Sequence, residues 1–218
     1  MPEPYYQDDH VTIYHADCRE LLPLVEADVM VTDPPYGIAY HSGMDATVER
    51  AVSIEGDDTA ELRDWVVAAW MPRPALVFGS WKRPRPAATR HVLTWEKGLH
   101  SGMGDLALPW KPNTEEVYVL GSDFTGRRGS SVLRYDAPVT WASKGRTHPH
   151  EKPVDLMRDL IAKCPPGVIV DPFAGSGSTL RAAKDLGRTA VGIEVDERYC
   201  KVAADRMRQE VFDLGGAA

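Results

Sequence analysis

No run of eighteen apolar residues occurs in the 218 residues, so no stretch has the length and character of a membrane-spanning helix. The opening residues, Met1-Pro2-Glu3-Pro4-Tyr5-Tyr6-Gln7-Asp8-Asp9-His10, lack the basic and then apolar pattern of a secretory leader, and a cytoplasmic protein is expected. Cysteine is scarce. Cys18, Cys164 and Cys200 stand far apart without a Cys-x-x-Cys spacing, which argues against a disulfide framework and against a zinc site. An excess of positive charge is also missing: 25 Lys and Arg face 32 Asp and Glu, and the formal charge of −7 speaks against a protein that simply coats nucleic acid. Neither the Gly-Lys-Ser/Thr of a P-loop nor the third glycine of the dinucleotide fingerprint is present, and there is no repeat or low-complexity tract.

What is present is an ordinary globular composition, 43% apolar and 26% charged, in a chain long enough for one well-buried core. The charge is uneven. Residues 81 to 152 hold 12 Lys and Arg against 7 Asp and Glu, so a basic middle lies within an acidic chain, as suits a protein that grips a polyanion on one face.

Short β-branched runs alternate with helix-patterned stretches, the sign of an α/β sheet. Strands are predicted at Val11–Tyr14, Val29–Thr32, Ala75–Phe78, His91–Trp95, Val117–Leu120, Val168–Val170 and Ala190–Ile193. A short helix capped by Asp17 carries Leu21, Leu22 and Val25. A longer one, capped by Asp58 or Thr59, presents Leu62, Trp65, Val66, Ala69 and Trp70 on one face. Another carries Val154, Leu156, Met157, Leu160 and Ile161. The stretch from Gly121 to Thr147 has no strong period. It interleaves Arg127, Arg128, Arg134, Lys144 and Arg146 with Phe124, Tyr135 and Trp141, and reads as a binding insertion.

Two segments carry chemistry. The strand Val168-Ile169-Val170 leads into Asp171-Pro172-Phe173-Ala174-Gly175-Ser176-Gly177-Ser178-Thr179, where a helix begins. Two glycines at such a turn let the backbone approach a ligand, and the helix start favours an anionic group. The next strand ends at Glu194, about twenty residues on, the position from which a carboxylate accepts hydrogen bonds from ribose hydroxyls. A nucleoside-type ligand follows.

The second segment is Asp33-Pro34-Pro35-Tyr36 at the carboxyl end of a strand, where crevices open in parallel sheets. The prolines fix the backbone, so the carbonyls of Asp33 and Pro34 are held as acceptors, and Tyr36 offers a flat face. A carboxylate, an aimed carbonyl and an aromatic plate match an amino group on a planar ring. That nitrogen is a poor nucleophile because its lone pair is delocalised. Two acceptors pulling on its hydrogens favour a pyramidal nitrogen with the lone pair aimed at an electrophile.

Together the two segments resemble the amino DNA methyltransferases, in which Asp-Pro-Pro-Tyr is the catalytic motif and Phe-x-Gly-x-Gly the cofactor motif, here Phe173 to Gly177. With the catalytic motif first and the cofactor motif last, the order is that of the beta class, and the resemblance covers nearly the whole chain. It implies a Rossmann-like, seven-stranded, mostly parallel sheet of circularly permuted order with helices on both faces, binding S-adenosylmethionine. It also implies one domain over 1–218, with a catalytic half at 17–120, a DNA-contact insertion at 121–147 and a cofactor half at 148–218. By the resemblance Asp33, Pro34 and Tyr36 are catalytic. Asp17 lies by the cofactor's adenine, Glu194 holds its ribose, and Asp171, Phe173, Gly175, Ser176 and Gly177 line its pocket. Ser178, Thr179, His148 and Lys152 hold its methionine end. His148 and His150 have no cysteine or acidic cluster beside them, and no metal is expected.

The implied substrate is duplex DNA whose target base is flipped out and stacked on Tyr36, with the Arg and Lys residues between 82 and 146, Arg127 and Arg128 foremost, on the backbone. In the family, Asp at the head of the motif goes more often with adenine and Ser with cytosine. Adenine is therefore expected, with cytosine amino methylation and a catalytically inactive binding subunit as the alternatives. The insertion is short for the family, which points to short or relaxed specificity or to help from a second subunit, as in a homodimer. Restriction-modification, phage self-protection and solitary regulation are all roles open to such a chain.

Overall fold

The computed structural model describes residues 1–35, 60–98, 104–137 and 151–209. Tyr36, Trp141, Lys144, Arg146, His148 and His150, like the expected caps Asp58 and Thr59, lie outside the described residues.

Nine strands form one sheet: β1 (Tyr6–Gln7), β2 (Val11–His15), β3 (Val29–Thr32), β4 (Ala75–Gly79), β5 (Thr89–Glu96), β6 (Thr114–Leu120), β7 (Val132–Arg134), β8 (Ile169–Asp171) and β9 (Ala190–Glu194). Their spatial order is β1-β2-β9-β8-β3-β4-β6-β5-β7. From β2 through β4 every pairing is parallel, β6 is antiparallel to both β4 and β5, and β7 runs parallel to β5. The seven expected strands are all present, and the last two in the chain, β8 and β9, sit in the middle. The two additions are short edge strands. β1 pairs with β2 through two residues, and β7 arises inside the stretch read as aperiodic. Three residues are too few to show an alternation, so neither edge strand has a sequence signal.

Helices cover both faces. On one, α1 (Cys18–Leu21), a 3-10 turn at Leu22–Leu24 and α2 (Glu61–Trp70) pack Leu21, Leu22, Val25, Val66, Val67 and Trp70 against Met30, Val77 and Tyr118. On the other, α3 (Val154–Ile161), α4 (Ser178–Asp185) and α5 (Glu197–Arg208) pack Leu156, Ile161, Leu180, Ala203 and Met207 against Val31, Phe78, Trp95, Val117 and Ile169. Asp17 caps α1 as expected, its side chain accepting from the Arg19 amide at 2.8 Å.

The α2 face differs from expectation. Its buried residues are Arg63, Val66, Val67 and Trp70, while Trp65 is exposed. Arg63 fills the inward position because its guanidinium donates to the Pro84 carbonyl at 2.9 Å and pairs with Asp64, so the cation is compensated and its aliphatic stem packs as an apolar residue would.

Candidate active site

Chain order reverses at β3. The chain continues to β4 on one side, while on the other side β3 pairs with β8, which arrives more than a hundred residues later. Beyond the carboxyl ends of such neighbours a crevice opens, and Asp33 and the glycine loop lie there. Thr32 Oγ1 donates to Asp171 Oδ1 at 2.7 Å, tying the end of β3 to the end of β8. Pro34 and Pro35 are buried, and the Asp33 side chain is 25% exposed.

The loop after β8 is braced from within. Asp171 also accepts from the Phe173 amide at 3.1 Å and from the Thr179 side chain. Burial pushes its carboxyl up to about 6, the hydrogen bonds from Thr179, Thr32 and Phe173 oppose this, and the nearby Asp33 charge adds to it. Gly177, with φ of 82°, caps α4, and a Cβ there would sit 3.0 Å from the Ala203 Cβ. Gly175, with φ of 50°, is open on its outer side, where a Cβ would meet only the Phe173 carbonyl at 3.9 Å. Ser176, Ser178 and Thr179 are buried. Arg206 donates to Ser178 Oγ at 3.0 Å, so the hydroxyls of Ser178 and Thr179 are both turned to protein partners.

At the end of β9, Glu194 Oε2 accepts from the Gly175 amide at 2.8 Å and Oε1 from the Asp196 amide at 2.9 Å. Burial raises its carboxyl despite these bonds. The parallel register of His15 with Glu194 places Asp17 just beyond β2, beside this carboxylate. Asp17 is engaged by Arg19, whose Nε donates to both of its oxygens at 3.0 Å.

Lys152 pairs with Asp33. Its ammonium is buried against Asp33 Oδ2 at 2.6 Å and Glu115 Oε2 at 3.1 Å, and Glu115 is paired in turn with Lys97. The same ammonium stands 5.1 Å from the Phe78 ring centroid and 5.8 Å from that of Trp95. Burial alone would lower the Lys152 ammonium, but Asp33 and Glu115 hold it above the ordinary lysine range. Burial alone would likewise raise Glu115, but Lys152 and Lys97 hold it below the usual carboxylate range. Sequence reasoning missed Glu115 and Lys97. The available signal was alternation: Glu115 shares its strand face with Val117 and Val119, and a carboxylate at an inward position requires a cation opposite it.

The described arginines of the expected DNA contact, Arg127, Arg128 and Arg134, are divided between the two sheet edges. β6 ends at the amino-terminal edge, opposite Ala75, and there Thr125 and Arg127 are tied to Lys163: the Thr125 amide donates to its carbonyl and its ammonium donates to the Arg127 carbonyl at 2.7 Å. The Arg127 backbone thus lies a strand length, roughly 15 Å, from the crevice edge. Arg127 and Arg128 are exposed. Arg134 ends β7 at the crevice edge and pairs with Glu96 at 3.0 Å. Phe124 and Tyr135, read as interleaved aromatics, pack against the core, and Trp95 Nε1 donates to the Tyr135 carbonyl at 2.8 Å. The β4–β5 connection leaves from the crevice edge and the β5–β6 connection begins and ends there; their described residues expose Trp81 and Trp110 beside Lys82, Arg83 and Lys111.

The model of the N6/N4 DNA methylase family matches residues 95–205. The type II methyltransferase M2.DpnII of Streptococcus pneumoniae is 43% identical over 266 residues, covering 96% of this chain and 94% of that protein. Among solved structures, the M1.HpyAVI–SAM complex superposes with a TM-score of 0.67 at 22% identity, covering 91% of this chain and all of that one. The cytosine-N4-specific PvuII DNA methyltransferase gives 0.69 at 16% identity, covering 95% and 89%.

Proposed function

The chain belongs to the N6/N4 DNA methylase family, as an S-adenosylmethionine-dependent DNA methyltransferase, and from that membership we propose that it methylates the exocyclic amino group of adenine flipped out of a duplex. The observation that carries this reading is the meeting of Asp33 with the glycine loop where the adjacent parallel strands β3 and β8 lead off in opposite directions.

The residues present fit the cofactor. Gly175 is open toward the crevice, and the first amides of α4 point out of the helix with no side-chain cap. Those amides, rather than the hydroxyls of Ser178 and Thr179, receive the methionine carboxylate. Glu194 takes one amide on each oxygen and keeps lone pairs for ribose hydroxyls, with Asp17 beside it for the adenine end. When bound, S-adenosylmethionine supplies the methyl group, the C–S bond breaking with its electron pair left on sulfur as the N–C bond forms. Asp33 accepts a hydrogen of the target amine, aims the nitrogen lone pair and takes the surplus proton, which leaves for solvent from its exposed side. Tyr36, next in the motif, stacks on the base. The duplex lies across the crevice edge, so Trp81, Lys82, Arg83, Trp110, Lys111 and Arg134 meet it sooner than Arg127 and Arg128.

The test is direct. The protein is incubated with methyl-labelled cofactor and duplex DNA, the DNA is digested to nucleosides, and the labelled one is identified. Label in N6-methyl-2′-deoxyadenosine is expected; label in deoxycytidine overturns the choice of base.

A further inference from the structure

Asp33, Lys152, Glu115 and Lys97 form a row of alternating charge that starts at the crevice and ends at the β5–β6 turn. The four come from the tip of β3, the residue before the Pro153 cap of α3, the second position of β6 and the residue after β5. The row sums to zero. A lysine meant only to neutralise Asp33 needs no second carboxylate, and burying Glu115 at a strand position otherwise filled by Val117 and Val119 carries a desolvation cost that calls for a purpose. The neighbouring Glu116 shows the contrast: on the opposite strand face it pairs with the exposed Arg85 at 2.5 Å.

Resting on the methyltransferase reading above, we propose that Glu115 is a positioning residue for methyl transfer: backed by Lys97, it anchors the Lys152 ammonium and shares its charge, so that Asp33 is oriented and still accepts the target amine's hydrogen. The physical reason lies in the division of one cation between two carboxylates. The lysine head is a compact charge on a flexible stem, and ion pairs to Asp33 at 2.6 Å and to Glu115 at 3.1 Å hold it from two sides. Without the Glu115 charge the ammonium draws more strongly on the Asp33 carboxylate and weakens it as an acceptor. Charged groups facing Asp33 among the described residues include Lys152 on one side and Asp171 on the other, with Glu115 and Lys97 next along the row.

Sign separates this role from mere packing. Glu115→Gln removes a negative charge behind Lys152 and leaves Asp33 in a more positive setting, so the acid limb of the kcat–pH profile moves down. Lys97→Gln removes a positive charge, and the limb moves up. Each shift is roughly half a pH unit or more. In Glu115→Gln, kcat at neutral pH falls about tenfold, the cofactor Kd by calorimetry stays within about twofold, and Glu115→Asp recovers part of the loss. The inference is overturned by a Glu115→Gln kcat within about twofold of wild type, by limbs that move the same way, or by a loss carried in cofactor Kd. If Glu115→Gln does not fold, the direction of the Lys97→Gln limb decides alone, since Lys97 lies at the rim with its side chain 20% exposed. Wild-type enzyme on the same duplex is run in parallel; its activity keeps a failure of this inference distinct from a failure of the methyltransferase reading.

Discussion

On the cofactor side of the crevice most of the polar groups are tied together within one short stretch, from Asp171 to Asp196, with Thr32 and Arg206 joining from outside it, whereas on the Asp33 side they are gathered from four separate parts of the chain. The first side is held by backbone amides and hydroxyls, the second by ion pairs between side chains. A loop closed by its own amides is stiff before any ligand arrives. A row of charges is adjustable, because each member's strength depends on the next. The cofactor side is thus suited to binding, and the Asp33 side to chemistry that must be tuned.

Four experiments sharpen or break that contrast, in falling order of expected effect. Asp33→Ala removes the acceptor and lowers methyl transfer by about a thousandfold, within the usual range for proton-transfer groups, with cofactor binding by calorimetry little changed. Turnover at the wild-type rate removes Asp33 from the mechanism. Glu194→Ala acts on the other side. It weakens cofactor binding roughly 10- to 100-fold, the worth of hydrogen bonds to a charged group, while kcat at saturating cofactor falls far less. A Glu194→Ala enzyme that binds normally but turns over slowly would erase the division between the sides.

The third concerns pH. The folded protein holds the Asp171 proton more tightly than the unfolded chain does, since burial pushes that carboxyl up to about 6. Its contribution to stability is therefore fully present below the unfolded value of about 4 and is lost as pH rises through about 6. Asp171→Asn should gain on wild type in thermal unfolding between pH 4 and pH 7, by an amount on the order of 1 to 3 kcal/mol. A constant difference across that window would show that Asp171 is not the titrating group. The smallest effect is expected at the far edge of the sheet. Arg127→Ala with Arg128→Ala changes DNA affinity by about twofold or less, whereas alanine at Lys82, Arg83 and Lys111 together costs about tenfold and flattens the salt dependence. The reverse order would put the duplex on the amino-terminal edge.

Legibility in the sequence followed the same division. The strand, turn and helix around Gly175 and Gly177, and Glu194 beyond them, lie close enough in the chain for spacing alone to reveal them, and the structure has them where spacing put them. Asp33 was legible for a similar reason, as it ends a β-branched run. Its partners were not. Lys152 comes 119 residues later and Glu115 is 82 residues from Asp33, and no local pattern records a pairing over such separations. The interleaved aromatics of 121–137 misled for the opposite reason: Phe124 and Tyr135 look like stacking residues among arginines, but the edge strand between them turns them to the core. Composition identifies what a stretch contains, and only pairing decides which way it faces.

The placement of β8 and β9 has a consequence for how the molecule comes into being. β2 and β3 follow one another in sequence, yet in the sheet two strands made last stand between them. While the chain is synthesised from its first residue onward, β2 and β3 each wait with an unpaired edge until the final fifth or so of the protein emerges. The sheet cannot be closed by adding strands at its margins. It has to be entered at its centre, and a ribosome stalled before Ile169 would hold two halves with open edges and no cofactor loop between them.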